Sequence, residues 1–228
     1  MLYTNISEGL FVFRPNRFIA QIKIGDTVVV AHVKNTGRCK ELLVSGVKVV
    51  LQKSDNPKRK TMYDLIAVWK NKRLINIDSQ VPNKVFLEYL QSGQYLEGIT
   101  CIRPEVTYGS SRFDFYVEVG MRKIFLEVKG VTLEEDGVVM FPDAPTERGV
   151  KHLKELIRCT KEGYEAHVVF VVQMSNVRYF TPNNKTHPAF GETLVAAQKA
   201  GVNIIALDCV VTENTLEIGN PVPVKLTE

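Results

Sequence analysis

The chain has 228 residues, 45% hydrophobic and 24% charged, an ordinary globular balance with room for one or two domains and a real core. Its longest apolar run, Ala166–Val172, falls far short of the roughly 20 residues a membrane helix needs, and MLYTNISEGL lacks the basic opening and apolar block of a signal peptide. Four dispersed cysteines with no C-x-x-C pair argue against a zinc ribbon or redox dithiol and fit a reducing cytoplasm, so a cytoplasmic protein with no membrane partner is expected. The net charge of +4 is modest, but residues 1–80 carry 14 Lys and Arg against 6 Asp and Glu. Such asymmetry hints at nucleic acid, although a solvated basic face would look the same.

Along residues 1–80, short alternating segments predict strands at Leu10–Arg14, Arg17–Ile24, Thr27–Val33, Val47–Gln52, Leu65–Trp69 and Leu74–Ile77. Pro15-Asn16, Gly25-Asp26, Ser45-Gly46 and Asp55-Asn56-Pro57 punctuate them, and one short turn is expected around Gly37–Leu43. Many short strands with such breaks predict a small antiparallel barrel, OB-like or SH3-like. The pattern changes at Val81. A helix is expected over Lys84–Gln91, then strands at Cys101–Thr107, Arg112–Val119 and Ile124–Val131, the last two joined by a turn at Gly120-Met121. An acidic loop with Gly137 follows, then a helix over Glu147–Lys161 and the strand Ala166–Val172. A helix over Pro188–Lys199 and a strand over Val202–Leu207 come next, and the tail Val211–Leu226 has hairpin and proline signals. Helices returning between apolar strands imply a mixed sheet covered on both faces. The fold class expected is therefore a two-domain α+β or α/β protein, a barrel over 1–80 and a mixed sheet with flanking helices over 81–228.

The stretch RFDFYVEVGMRKIFLEVKG (112–130) places charges inside two apolar strands. Glu127 and Lys129, two apart in one strand, leave the same face. A hairpin can bring Asp114 beside them. Two carboxylates buried together raise each other's pKa, and a hard cation such as Mg²⁺ or Mn²⁺ removes that conflict through oxygen ligands. An ion-pair network at a strand end explains the same residues. Glu88, interrupting the apolar face of Val85, Leu87 and Leu90, offers a third carboxylate. Arg148, Lys151, His152 and Glu155 recur at i, i+3, i+4 and i+7 on one helix stripe. That stripe suits either phosphate contact or surface salt bridges.

The order helix–strand–Asp–(Glu-x-Lys)–helix–strand resembles the PD-(D/E)-x-K nuclease superfamily, whose core is restriction-endonuclease-like. More specifically, AHVKNTGR (31–38), SDNPKRK (54–60), VPNKVFLEYLQSG (81–93), EVTYGSSRFDF (105–115), FLEVKGVTL (125–133), FPDAPTERGVKHLKEL (141–156) and AGVNIIALDC (200–209) are similar to the sugar fermentation stimulation protein family. The similarity runs through nearly the whole chain. It implies an N-terminal OB-like domain, a C-terminal nuclease-like domain and DNA binding. Asp114, Glu127 and Lys129 fall on the superfamily's core motif and Glu88 on its helix acid. Thr146, Arg148, Lys151 and His152 fall on the family's own helix signature.

Among the remaining candidates, Arg38 and the loop cations Lys58, Arg59 and Lys60 are expected to track DNA phosphates, with Tyr63 and Trp69 either stacking or in the core. The NTG turn (35–37) is a plain turn or a phosphate nest, and His32, His167 and His187 are expected to be internally satisfied. The expected function is a DNA-binding protein with a Mg²⁺- or Mn²⁺-dependent site. In it Glu88, Asp114 and Glu127 hold the metal, Lys129 positions water, and Arg148, Lys151 and His152 contact the scissile phosphate. The alternative is a non-catalytic DNA-binding regulator of sugar metabolism. Endo- against exonuclease action and the oligomeric state, a homodimer included, are left open.

Overall fold

The structure is a computed structural model and describes residues 1–226 apart from Thr36 and Arg38. The N-terminal strands are β1 (Ile6–Asn16), β2 (Ile19–Ile24), β3 (Thr27–Val33), β4 (Lys48–Lys53), β5 (Tyr63–Lys70) and β6 (Arg73–Asn76). β1, β2 and β3 form an antiparallel meander, β1 also pairs with β4, and β4 with β5. β3 then closes on β5 in parallel, Ala31 opposite Tyr63 and Val33 opposite Leu65. The ring β1-β2-β3-β5-β4 is the OB-like barrel expected from the sequence. Its alternate residues, among them Phe11, Ile22, Ala31, Val49 and Leu65, fill the interior.

β6 pairs with β5 outside the ring, and the chain passes into α1 (Pro82–Gln91). A six-stranded mixed sheet follows, in the order β15-β14-β12-β9-β8-β7. Its strands are β7 (Ile99–Tyr108), β8 (Ser111–Val119), β9 (Arg122–Val131), β12 (Glu165–Val172), β14 (Asn203–Val211) and β15 (Leu216–Pro221). The central strand β12 is parallel to both β9 and β14 and fully apolar from Val168 to Val172, as expected for a strand buried on both faces. The crossovers are α2 (Glu147–Lys161) and α3 (Pro188–Lys199). Phe125 and Val131 of β9 face the core beneath α2 and α3, continuous with the barrel interior. Ile124, Leu126 and Val128 face a second core built with α1 and barrel residues such as Val50 and Ile66.

One expectation changes and one strand is added. The acidic loop is a hairpin, β10 (Leu133–Glu135) with β11 (Val138–Phe141). Asp136 and Gly137, both at positive φ, make the two-residue turn that Asp-Gly favours. A short strand, β13 (Tyr179–Pro182), pairs in parallel with β11. No helix among the described residues is long and apolar enough to cross a membrane.

Candidate metal and phosphate site

The β8–β9 ladder runs from Val119 opposite Arg122 to Phe115 opposite Leu126. One step further Asp114 would face Glu127, but there a side chain replaces the backbone ladder. Asp114 Oδ2 accepts the Val128 N–H at 2.7 Å. Its Oδ1 accepts from Asn83 Nδ2 at 2.7 Å, in the first turn of α1. A carboxylate in place of a carbonyl ends the pairing, and the site occupies that fork.

Glu127 and Lys129 rise on the α2 side of β9, as their two-residue spacing requires. The Glu127 side chain is only 3% exposed. Its Oε1 accepts from Lys129 Nζ at 2.5 Å and from His152 Nδ1. Its Oε2 is buried and meets no hydrogen-bond donor among the described residues. Because a carboxylate only accepts, the proton between Glu127 and His152 sits on Nδ1, which leaves Nε2 to accept from Arg148 Nε at 3.4 Å. Thr146 Oγ1 caps α2 by accepting the Gly149 N–H. Gly149 has no room for a Cβ between Thr146 and Phe190. Val150, Leu153 and Leu156 bury the apolar stripe of α2, and together these contacts fix the rotation that aims His152 at Glu127.

The two acids are pushed apart electrostatically. Burial, and then the charge of Glu127, hold the Asp114 carboxyl above the usual carboxylate range. Burial acts on Glu127 in the same sense, but the hydrogen bond from His152 and the Lys129 charge more than offset it, so its carboxyl lies below that range. Such a split marks sites built to handle charge, although ion-pair networks produce it too.

The other predicted residues are placed differently. Glu88 lies on the exposed stripe of α1 with Lys84 and Gln91, and its Oε2 pairs with the Met1 amino group at 2.7 Å. Val85, Phe86 and Leu90 define the buried face of α1, so Glu88 is not part of the fork. Among the described residues, no group of three or more His, Cys, Asp or Glu is assembled to hold a metal. His152 is buried against Glu127 and is not free to meet a phosphate. Lys151 Nζ donates to the Ser110 carbonyl at 2.6 Å, bracing the β7–β8 turn, and Glu155 abuts Gly109 in the same turn. Arg148 is exposed beside His152. In the β4–β5 loop Lys58 and Lys60 are exposed, but Arg59 is turned inward onto Asp64, with contacts of 2.9 and 2.5 Å. Trp69 packs against the second core. Arg38 lies outside the described residues.

Asn83 is the site residue that sequence reasoning missed. The signal was a polar residue in phase with Phe86 and Leu90, at i+3 and i+7, extending a buried stripe.

The fold and fork together define the class: an OB-like barrel joined to a mixed α/β domain with an Asp and a Glu-x-Lys pair where two strands part. Residues 12–77 match the family model described as the SfsA N-terminal OB domain, and residues 80–215 the sugar fermentation stimulation protein RE domain. Sugar fermentation stimulation protein homologs of Desulfitobacterium hafniense and Clostridium beijerinckii are 61% identical over 228 residues and 58% over 226. Both alignments cover 99% or more of each chain. SfsA of Pyrococcus furiosus, solved in complex with Ca²⁺, is 30% identical with a TM-score of 0.88, over 99% of this chain and 98% of that one. The chain belongs to the sugar fermentation stimulation protein family.

Proposed function

We propose that the protein binds DNA and carries a divalent-metal-dependent site for phosphodiester hydrolysis at the β8–β9 fork. The observation that carries this reading is Glu127 Oε2, a buried carboxylate oxygen that meets no donor among the described residues, beside the half-buried carboxylate of Asp114. Leaving such an atom unsatisfied is costly, and a hard cation satisfies it. Asp114 and Glu127 are oxygen donors of the kind Mg²⁺ and Mn²⁺ take, two carboxylates with the remaining positions left to water and phosphate oxygens. A family member solved with Ca²⁺ is consistent with hard-ion chemistry. When bound, the metal supplies Lewis-acid polarisation of a phosphoryl oxygen and a more acidic water.

The chain's own side chains do the rest. Asn83 and the Val128 N–H orient Asp114. His152 and Lys129 hold Glu127 ionised through Oε1 and leave Oε2 for the cation. The Lys129 side chain keeps 18% exposure, and an ammonium with three N–H donors can hydrogen-bond a phosphate or the attacking water while holding Glu127. The basic excess of the barrel supplies sequence-independent attraction to the phosphate backbone.

The test is calorimetric titration of Mg²⁺ and Mn²⁺ into wild type and Glu127→Gln, followed by incubation with supercoiled DNA. Metal binding and nicking lost together in the variant are expected. Metal and DNA binding without nicking would make the protein a non-catalytic DNA-binding regulator. Wild type that takes up neither metal nor DNA would end the reading.

A further inference from the structure

Apolar side chains lie on the outer face of the β1–β2–β3 meander, opposite the residues that fill the barrel interior. Leu10, Phe13, Phe18, Val28 and Val30 are each between 45% and 53% exposed. They are not scattered. Leu10 of β1 faces Lys23 of β2, which faces Val28 of β3, and the adjacent row runs Phe13, Gln21, Val30. The two rows contain no acid. Phe18 tips the β1–β2 turn, with the Arg17 guanidinium 4.9 Å from its ring centroid. A surface meant for another protein core would not normally keep Lys23 in the middle of its rows and a cation on its aromatic.

The position of this face matters as much as its composition. His32, the β3 neighbour of Ile19, lies 3.4 Å from Asp64. Asp64 in turn anchors Arg59 of the β4–β5 loop. The Phe18 turn and the loop bearing exposed Lys58 and Lys60 therefore flank one end of the β2–β3 face. In OB-like barrels that face and those two loops form the surface on which oligonucleotides lie. From the Phe18 turn, Arg14 bonds back to the carbonyls of Arg17, Asn35 and Gly37. Asn35 and Gly37 line a cleft of about 170 Å³ with Asp143 and Gly130, and Gly130 is the residue after Lys129.

We infer that the β1–β2–β3 face is a stacking platform for unpaired DNA bases, with Phe13 and Phe18 as its aromatic faces, delivering a single-stranded segment toward the fork. This rests on the proposed function and adds the form of the substrate. Each base has a face to stack, so the platform is sequence-tolerant. Arg17, Lys23, Lys58 and Lys60 match the phosphates that run beside the bases.

The test is fluorescence anisotropy with labelled oligothymidylate of about 15 nucleotides, near the upper span of one OB fold, and with a duplex of equal length at the same salt. Wild type, Phe13→Ala/Phe18→Ala and Phe13→Leu/Phe18→Leu are compared, with sedimentation to read the oligomeric state. Both positions are exposed, so the variants should keep the wild-type melting temperature. The expected result is tighter binding of the single strand than of the duplex, reduced about tenfold or more in both double variants. Retention of affinity in the leucine variant would overturn the stacking role, since leucine keeps the apolarity without the ring. Duplex preference would overturn the single-strand assignment, and a wild-type dimer dissociated by the substitutions would make the face a self-association surface. Failure of wild type to bind either DNA form would instead defeat the proposed function itself.

Discussion

His152 shows how much of the fork depends on one side chain. Its Nδ1–H satisfies Glu127 Oε1, and residues of this supporting kind change metal affinity by roughly 10–100-fold when removed. His152→Ala should lower Mn²⁺ affinity by about that factor and cost about 1.5–3 kcal/mol of stability for the lost hydrogen bond to a buried carboxylate, which then keeps only Lys129 on that oxygen, both measurable by calorimetry and urea unfolding. The two carboxylates also predict a pH dependence. In the metal-free protein Asp114 takes the first proton, because burial and Glu127 hold its carboxyl above the usual range while His152 and Lys129 hold Glu127 below it. The metal requires the ionised forms. Affinity should therefore fall as pH falls through the raised Asp114 value, with a proton released on binding in that window, and Asp114→Asn should abolish the release. Calorimetry in two buffers of different ionisation enthalpy reads it directly, and proton-independent binding down to the ordinary carboxylate range would refute the assignment. Asp114, Glu127 and Lys129 were legible in the sequence because charges interrupt apolar strands there. The roles of His152 and Asn83 were not, because sequence spacing gives a helix face but not what that face meets.

At the scale of elements, the legible parts were those with strong punctuation. α2 begins after Thr146, whose hydroxyl caps Gly149, and ends in a basic last turn with Arg158 and Lys161. α3 begins with Pro188 in its first turn. Both spans follow from such signals. Glu88 was misplaced because Leu87 was counted on the apolar face of α1, whereas Pro82, Val85, Phe86 and Leu90 are the residues that bury. That phase turns residue 88 to solvent. β10, β11 and β13 escaped notice because three or four residues carry too little alternation to register, and β13 contains a proline. Its place is set by pairing with β11 across a long sequence gap, which no local pattern records. The α2 cap is testable on its own terms. Thr146→Ala removes the acceptor for the Gly149 N–H and should cost about 1 kcal/mol. It should also weaken Mn²⁺ binding, because the first turn of α2 sets the orientation of His152; an unchanged metal affinity would detach the cap from the site.

At the scale of the whole molecule, the barrel and the mixed sheet are welded by buried polar groups as well as by a shared apolar core. Gln173, just beyond β12, donates to Asn76 Oδ1 and the Asp78 carbonyl, and accepts the Asn76 N–H through its own carbonyl. Glu134 of β10 reaches the β5–β6 hairpin, pairing with Lys70 at 2.7 Å and Arg73 at 2.8 Å, and also accepts the Gly137 N–H. Burial alone would raise the Glu134 carboxyl, but Lys70, the Gly137 N–H and Arg73 together bring it below its ordinary value. A lowered carboxylate contributes stability that is complete above its unfolded value and is lost as pH falls through its folded one. The cross-link is therefore intact at neutral pH and fails only in acid. Glu134→Gln keeps the shape, removes the charge and points an amide at two cations. Breaking a fully buried pair costs about 3–5 kcal/mol, and because Lys70 and Arg73 remain about a quarter exposed, a loss at or below about 3 kcal/mol is expected here. Wild type should unfold in one cooperative transition. The variant should melt earlier at neutral pH, with the barrel separating from the sheet domain, and the difference from wild type should vanish in acid below the folded Glu134 value. Calorimetric scans of both proteins at neutral and acidic pH decide this, since an equal gap at both would mean the carboxylate charge is not what joins the two halves.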